Sequence, residues 1–107
     1  MVNRLYRIAT TSATWQRTFA RIFGAVDGIP FDLMIGIFRR NTINLEVKAN
    51  YVTGACARLS LYQKGGELFV YFSCDWIGPN YVYIQSYSGV NLVSENADVS
   101  SYTKIEI

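Results

Sequence analysis

The chain contains no histidine, and its cysteine is limited to Cys56 and Cys74. Without histidine, the usual serine and cysteine triads lose their base and histidine-ligated metals are excluded. Two cysteines alone cannot complete an ordinary structural zinc site. A disulfide between them is geometrically open but not implied, because free cysteine also behaves as a small buried hydrophobe. Charge is scarce too, at 17% of 107 residues against roughly 25% in ordinary soluble domains. That deficit leans toward an oligomer that hides part of its surface. A formal charge of +2 is too small to argue for nucleic acid or an anionic membrane as the default partner. No apolar run approaches the roughly 20 residues that span a bilayer. Met1-Val2-Asn3-Arg4-Leu5 leads into alternating residues with no apolar signal-peptide core, so the expectation is a chain used in solution or a fragment of a longer protein. Repeats, linkers and glycine-rich phosphate loops are missing as well.

What remains is apolar, aromatic and alternating. Half the residues are hydrophobic and 15% are aromatic, and the length fits one domain that buries about two-thirds of its unfolded surface. The densest stretch is Glu67 to Tyr87. Leu68–Cys74 and Tyr81–Tyr87 read as two adjacent core strands joined by a turn at Asp75–Asn80. In the second, Tyr81, Tyr83, Gln85 and Tyr87 share one face while Val82, Ile84 and Ser86 share the other. The tyrosine row must cover another sheet, meet a neighbouring subunit or face a ligand.

Taken in order, Arg4–Ala9 reads as a first strand. Trp15–Val26 alternates aromatic or arginine with mostly small or polar residues, which favours a strand, with a helix over Thr14–Phe23 as the alternative. Asp27-Gly28-Ile29-Pro30 is a turn, and Phe31–Phe38 is apolar enough to suggest a strand covered on both sides. Thr42–Asn50 alternates, with Ile43, Leu45, Val47 and Ala49 inward. Tyr51–Gly54 crosses to a strand over Ala55–Tyr62, and the Gly65-Gly66 pair marks a tight hairpin. Val90–Ser94 and Ser101–Ile107 complete eight or nine strands without a helix. The expected fold is all-β, an antiparallel β-sandwich of jelly-roll type, with an immunoglobulin-like topology as runner-up.

Candidate chemistry is thin. Of eight acids, Asp32 and Asp75 are flanked by apolar residues and could serve a glycosidase only if they stood about 5–10 Å apart across a cleft. The plainer reading is that Asp75 closes its turn and Asp32 starts a strand. A recognition surface is the better expectation. Trp76, in a predicted turn, and Tyr81 and Tyr83 can stack on sugar rings, with Asp75 and Asn80 supplying polar groups. Arg4, Arg7, Arg17, Arg21, Arg39 and Arg40 face only Asp27 and Asp32 before residue 41. They read as outward strand positions, or as an arginine-lined face for an acidic sugar, a phosphate or a partner's carboxylates. Arg39 joins the candidate ligand residues on that second reading. No cofactor is expected.

Several features together resemble the C-terminal β-sandwich domains of bacteriophage tail fibres and tailspikes. They are the opening Tyr6-Arg7-Ile8-Ala9-Thr10-Thr11, the Trp15-Gln16-Arg17 of the second strand and the apolar third strand ending in Arg39-Arg40. Glu67-Leu68-Phe69-Val70-Tyr71, Tyr81-Val82-Tyr83-Ile84 and the terminal Tyr102–Ile107 complete the pattern. The resemblance spans nearly the whole chain as a pattern of strands and aromatics. It implies a homotrimer similar to tumour-necrosis-factor or complement-type heads, located on the virion, binding host cell-surface carbohydrate or aiding trimerisation; the weak charge and short apolar runs add the expectation of no nucleic-acid partner and no membrane insertion. No residue-by-residue site comes with it.

Overall fold

The computed structural model describes residues 2–9, 16–41, 43–74, 80–86 and 89–107, except the side chains of residues 2, 9, 16 and 74. They form β1 (Val2–Ala9), β2 (Gln16–Val26), β3 (Ile29–Arg39), β4 (Leu45–Gly54), β5 (Leu59–Lys64), β6 (Glu67–Cys74), β7 (Tyr81–Ser86), β8 (Asn91–Glu95) and β9 (Thr103–Ile105). All strand pairs are antiparallel, in a five-stranded sheet ordered β8-β1-β6-β5-β9 and a four-stranded sheet ordered β4-β3-β2-β7. The alternation over residues 16–23 is thus strand and not helix, since every residue of β2 pairs with β3.

Turn chemistry fixes the registers. Asp27 and Gly28 both adopt positive φ, 55° and 75°, which matches the twist of a two-residue hairpin and sets Val26 opposite Ile29. Gly65 and Gly66 do the same for β5 and β6, setting Lys64 opposite Glu67. Between β3 and β4, Asn41 Oδ1 accepts hydrogen bonds from the backbone N–H of Ile43 at 3.0 Å and of Asn44 at 2.9 Å. That Asx-type turn lifts Ile43 out of the sheet. Ile43 is exposed, against the inward position its alternation predicts, whereas Leu45, Val47 and Ala49 do point toward the core.

The core lies between the sheets. Ala20, Ile22 and Val26 of β2 and Phe31, Leu33, Ile35 and Ile37 of β3 form one apolar cluster with Leu59 and Leu61 of β5 and Leu68, Val70 and Phe72 of β6. Fully burying such side chains contributes about 1.5–3 kcal/mol each, whereas exposed ion pairs contribute about 0–1 kcal/mol. The sandwich is therefore held by its two inner faces. Polar ties cross the same gap. Ser86 Oγ donates to the Ile8 carbonyl at 2.7 Å, and Arg39 Nη1 donates to the Gly66 carbonyl at 2.8 Å.

Three further sequence expectations change. β6 and β7 are not paired neighbours: β6 lies between β1 and β5, and β7 is the edge of the other sheet beside β2. In that placement Val82 and Ile84 pack on the common core while the tyrosines point outward. β4 continues to Gly54 through an irregularity opposite Asp32 and Leu33, so β5 begins at Leu59 and not at Ala55. Finally, β3 is covered on one side only. Its odd-numbered residues from Phe31 to Arg39 are buried, while Asp32, Met34, Gly36 and Phe38 lie on the outer face.

The two outer faces differ. β8 and β9 occupy opposite edges of the five-stranded sheet, so the chain between them crosses its outer surface. Tyr102 stands edge-on to Phe69 at 5.0 Å and to Tyr62 at 6.4 Å, and Lys64 Nζ donates to Ser101 Oγ at 3.0 Å. The outward-pointing Phe69 is 6% exposed, and Leu5 only 2%. Among the described residues, nothing equivalent covers the four-stranded sheet.

Candidate functional site

The uncovered face of the four-stranded sheet is built from alternate residues of all its strands. β7 contributes Tyr81, Tyr83 and Gln85, β2 contributes Arg17, Phe19, Arg21 and Phe23, β3 contributes Asp32, Met34, Gly36 and Phe38, and β4 contributes Glu46, Lys48 and Asn50. Phe19 is 62% exposed, Tyr81 62% and Tyr83 56%. Three large side chains so exposed on one sheet face make it the candidate contact surface.

Gly24 positions the tyrosines. Its φ is 146°, and a Cβ there would lie 1.7 Å from the Tyr81 carbonyl oxygen. Only glycine allows β7 to pair this closely with β2. The start of β7 is held a second time by Asn80, whose Oδ1 accepts from the Asp27 backbone N–H at 2.7 Å. Asp27 also faces Arg58, with Oδ2 to Nε at 3.5 Å.

At that end of the face, the Phe23 and Tyr83 rings stack with centroids 5.3 Å apart and an interplanar angle of 22°. Phe23 pairs with Asp32 on its other side. Arg21 donates from Nε to Asp32 Oδ1 at 2.9 Å and from Nη2 to Oδ2 at 2.7 Å, while its guanidinium lies 4.5 Å from the centroid of Phe23. These hydrogen bonds hold the Asp32 carboxyl below the ordinary aspartate range and raise the Arg21 pKa. An ionised carboxylate with both oxygens engaged suits polar recognition and not proton donation.

Toward the other end, Gly36 leaves a depression of about 300 Å³ bordered by Arg17, Phe38, Glu46 and Lys48. The Arg17 guanidinium lies 4.5 Å from the Phe38 centroid. Glu46 accepts from Arg40 through Oε1. Among the described residues, no three metal-ligating side chains gather.

A scan of protein-family models and searches of curated proteins and of solved structures find no significant match. The site therefore rests on its own geometry.

Of the residues expected at a ligand surface, Tyr81 and Tyr83 lie on this face, and Asn80 sits at its edge with Oδ1 committed to the Asp27 turn. Arg39 does not belong to it. The side chain is 4% exposed and points between the sheets, where burial lowers its pKa and the nearby Glu67 carboxylate partly offsets that. Its neighbour Arg40 takes the exposed position. Trp76 and Asp75 lie outside the described residues. Phe19, Phe23, Gly36 and Lys48 were not singled out as ligand residues by sequence, whereas Arg17 and Arg21 stood among the arginines of a possible arginine-lined face. The signal was available in the even-numbered positions of β3, where Asp32 and Gly36 interrupt an otherwise apolar run.

Proposed function

We propose that this chain is a non-enzymatic recognition domain, the glycan-binding tip of a phage tail fibre or tailspike, working as a homotrimer on the virion. The observation that carries the reading is the Tyr83–Phe23 stack with the Arg21–Asp32 pair beside it, on a sheet face that no other described residues cover. Aromatic faces stack on the apolar face of a pyranose, and a fixed ion pair offers donors and an acceptor to its hydroxyls. The jelly-roll form of the proposal has weaker support, because β2, β3 and β4 follow one another within one sheet, whereas jelly rolls build from Greek keys that exchange strands between sheets.

A second reading, a purely structural trimerisation module, is favoured by the exposure of Phe19 and Met34 on the same face. Core patches of subunit interfaces are enriched in such side chains. Light scattering together with a glycan array separates the two. The recognition reading expects array binding that is lost in Tyr83→Ala at unchanged mass. A trimer that binds no glycan, and that Phe19→Asp dissociates, would replace it with assembly alone.

A further inference from the structure

The depression over Gly36 combines features that the rest of the face lacks. In register, Phe19, Gly36 and Lys48 form one row across β2, β3 and β4, and Arg17, Phe38 and Glu46 form the next. Arg17 and Lys48 thus stand diagonally across the missing side chain, on strands about 10 Å apart. Among the described residues neither cation has an acidic partner, since Glu46 is taken by Arg40 and Asp32 by Arg21. The Phe38 ring carries the Arg17 guanidinium beside the depression. A Cβ on Gly36 would meet only the Lys48 carbonyl oxygen, at 3.8 Å, which is ordinary contact. The backbone does not demand glycine at this position, so its effect here is to leave space.

We propose that this depression binds the carboxylate-bearing ring of an acidic glycan, with Arg17 and Lys48 on the carboxylate and the ring seated over Gly36 beside Phe38. The inference rests on the glycan-binding reading and names the sugar class. Charge complementarity favours an anion, because Arg17 and Lys48 have no acidic partner among the described residues and the carboxylate that borders them, Glu46, is engaged by Arg40. The volume of about 300 Å³ suits one ring, not an extended chain. Arginine matches a carboxylate through paired N–H donors, and lysine adds a point charge.

The test is calorimetry on the whole chain with a hexamer of galacturonate, cellohexaose as the neutral control and hexaglutamate as the non-sugar anion. The expected result is binding of the galacturonate hexamer alone, weakened about tenfold or more by Arg17→Gln. Gly36→Val fills the depression with a residue suited to a strand, so it removes binding without lowering the melting temperature. Equal affinity for cellohexaose, or binding that ignores both substitutions but fails in Tyr83→Ala, overturns the acidic-sugar inference and leaves the recognition reading standing. Equal affinity for hexaglutamate makes the site a general anion site and overturns the sugar class. No binding of either hexasaccharide, with array binding also absent, defeats both readings.

Discussion

Arg21 and Asp32 face each other diagonally across β2 and β3, two residues out of direct register, and close a two-point hydrogen-bonded pair on the uncovered sheet face, at 2.9 and 2.7 Å. Because Asp32 is held ionised, its pairing stabilises the fold above the pKa of an unfolded aspartate. That contribution is fully present above about pH 5 and shrinks as acid is added, vanishing once Asp32 itself is protonated. In Arg21→Gln the Asp32 carboxyl should titrate at higher pH than in the parent chain. Carboxyl-carbon NMR shifts followed from pH 6 downward check this, and unchanged titration would mean the pair does not form in solution.

Gly24→Ala should separate β7 from β2. The added methyl group meets the Tyr81 carbonyl, and the backbone must also leave a φ that L-residues avoid, so the expected cost is about 2 kcal/mol or more. Hydrogen exchange gives the local readout: amides of residues 81–86 lose protection before those of β5 and β6.

Arg39→Ala should destabilise the sandwich without touching the recognition face. It removes a buried charge-assisted hydrogen bond and leaves the Gly66 carbonyl without that donor, a loss on the order of 2–3 kcal/mol. Urea denaturation reads the stability, and glycan binding per folded molecule should match the parent chain. A binding defect at full stability would return Arg39 to the ligand site.

Cys56 is buried and free, and burial pushes its thiol pKa up, only partly countered by the Arg58 and Leu59 backbone N–H groups. It should resist iodoacetamide at neutral pH in the folded chain and react quickly in denaturant. Peptide mapping after labelling assigns the reaction to this residue.

Much of the sandwich could be read from local chemistry. Asp27-Gly28 and Gly65-Gly66 are turn pairs whose backbone needs leave little choice, and the split of β7 into tyrosine and aliphatic faces follows from strand alternation alone. Sheet membership is different. Leu68–Cys74 and Tyr81–Ser86 look alike as sequence, and only the competition among all strands for one core sends them to opposite sheets. The site was hidden by a related ambiguity. An apolar run such as Phe31–Phe38 is equally compatible with two covered faces and with one core face plus one sticky outer face. Arg39, by contrast, shares odd parity with Phe31, Leu33, Ile35 and Ile37. Alternation carried through to the strand end places it inside, and its charge alone suggested otherwise.

The crossing between β8 and β9 has a bearing on how copies can meet. Since the chain lays its own Tyr102 over Phe69, one broad side of each molecule is already spent, and association through sheet faces has a single valence. Copies that associate face to face should therefore form small closed sets and not stacked columns.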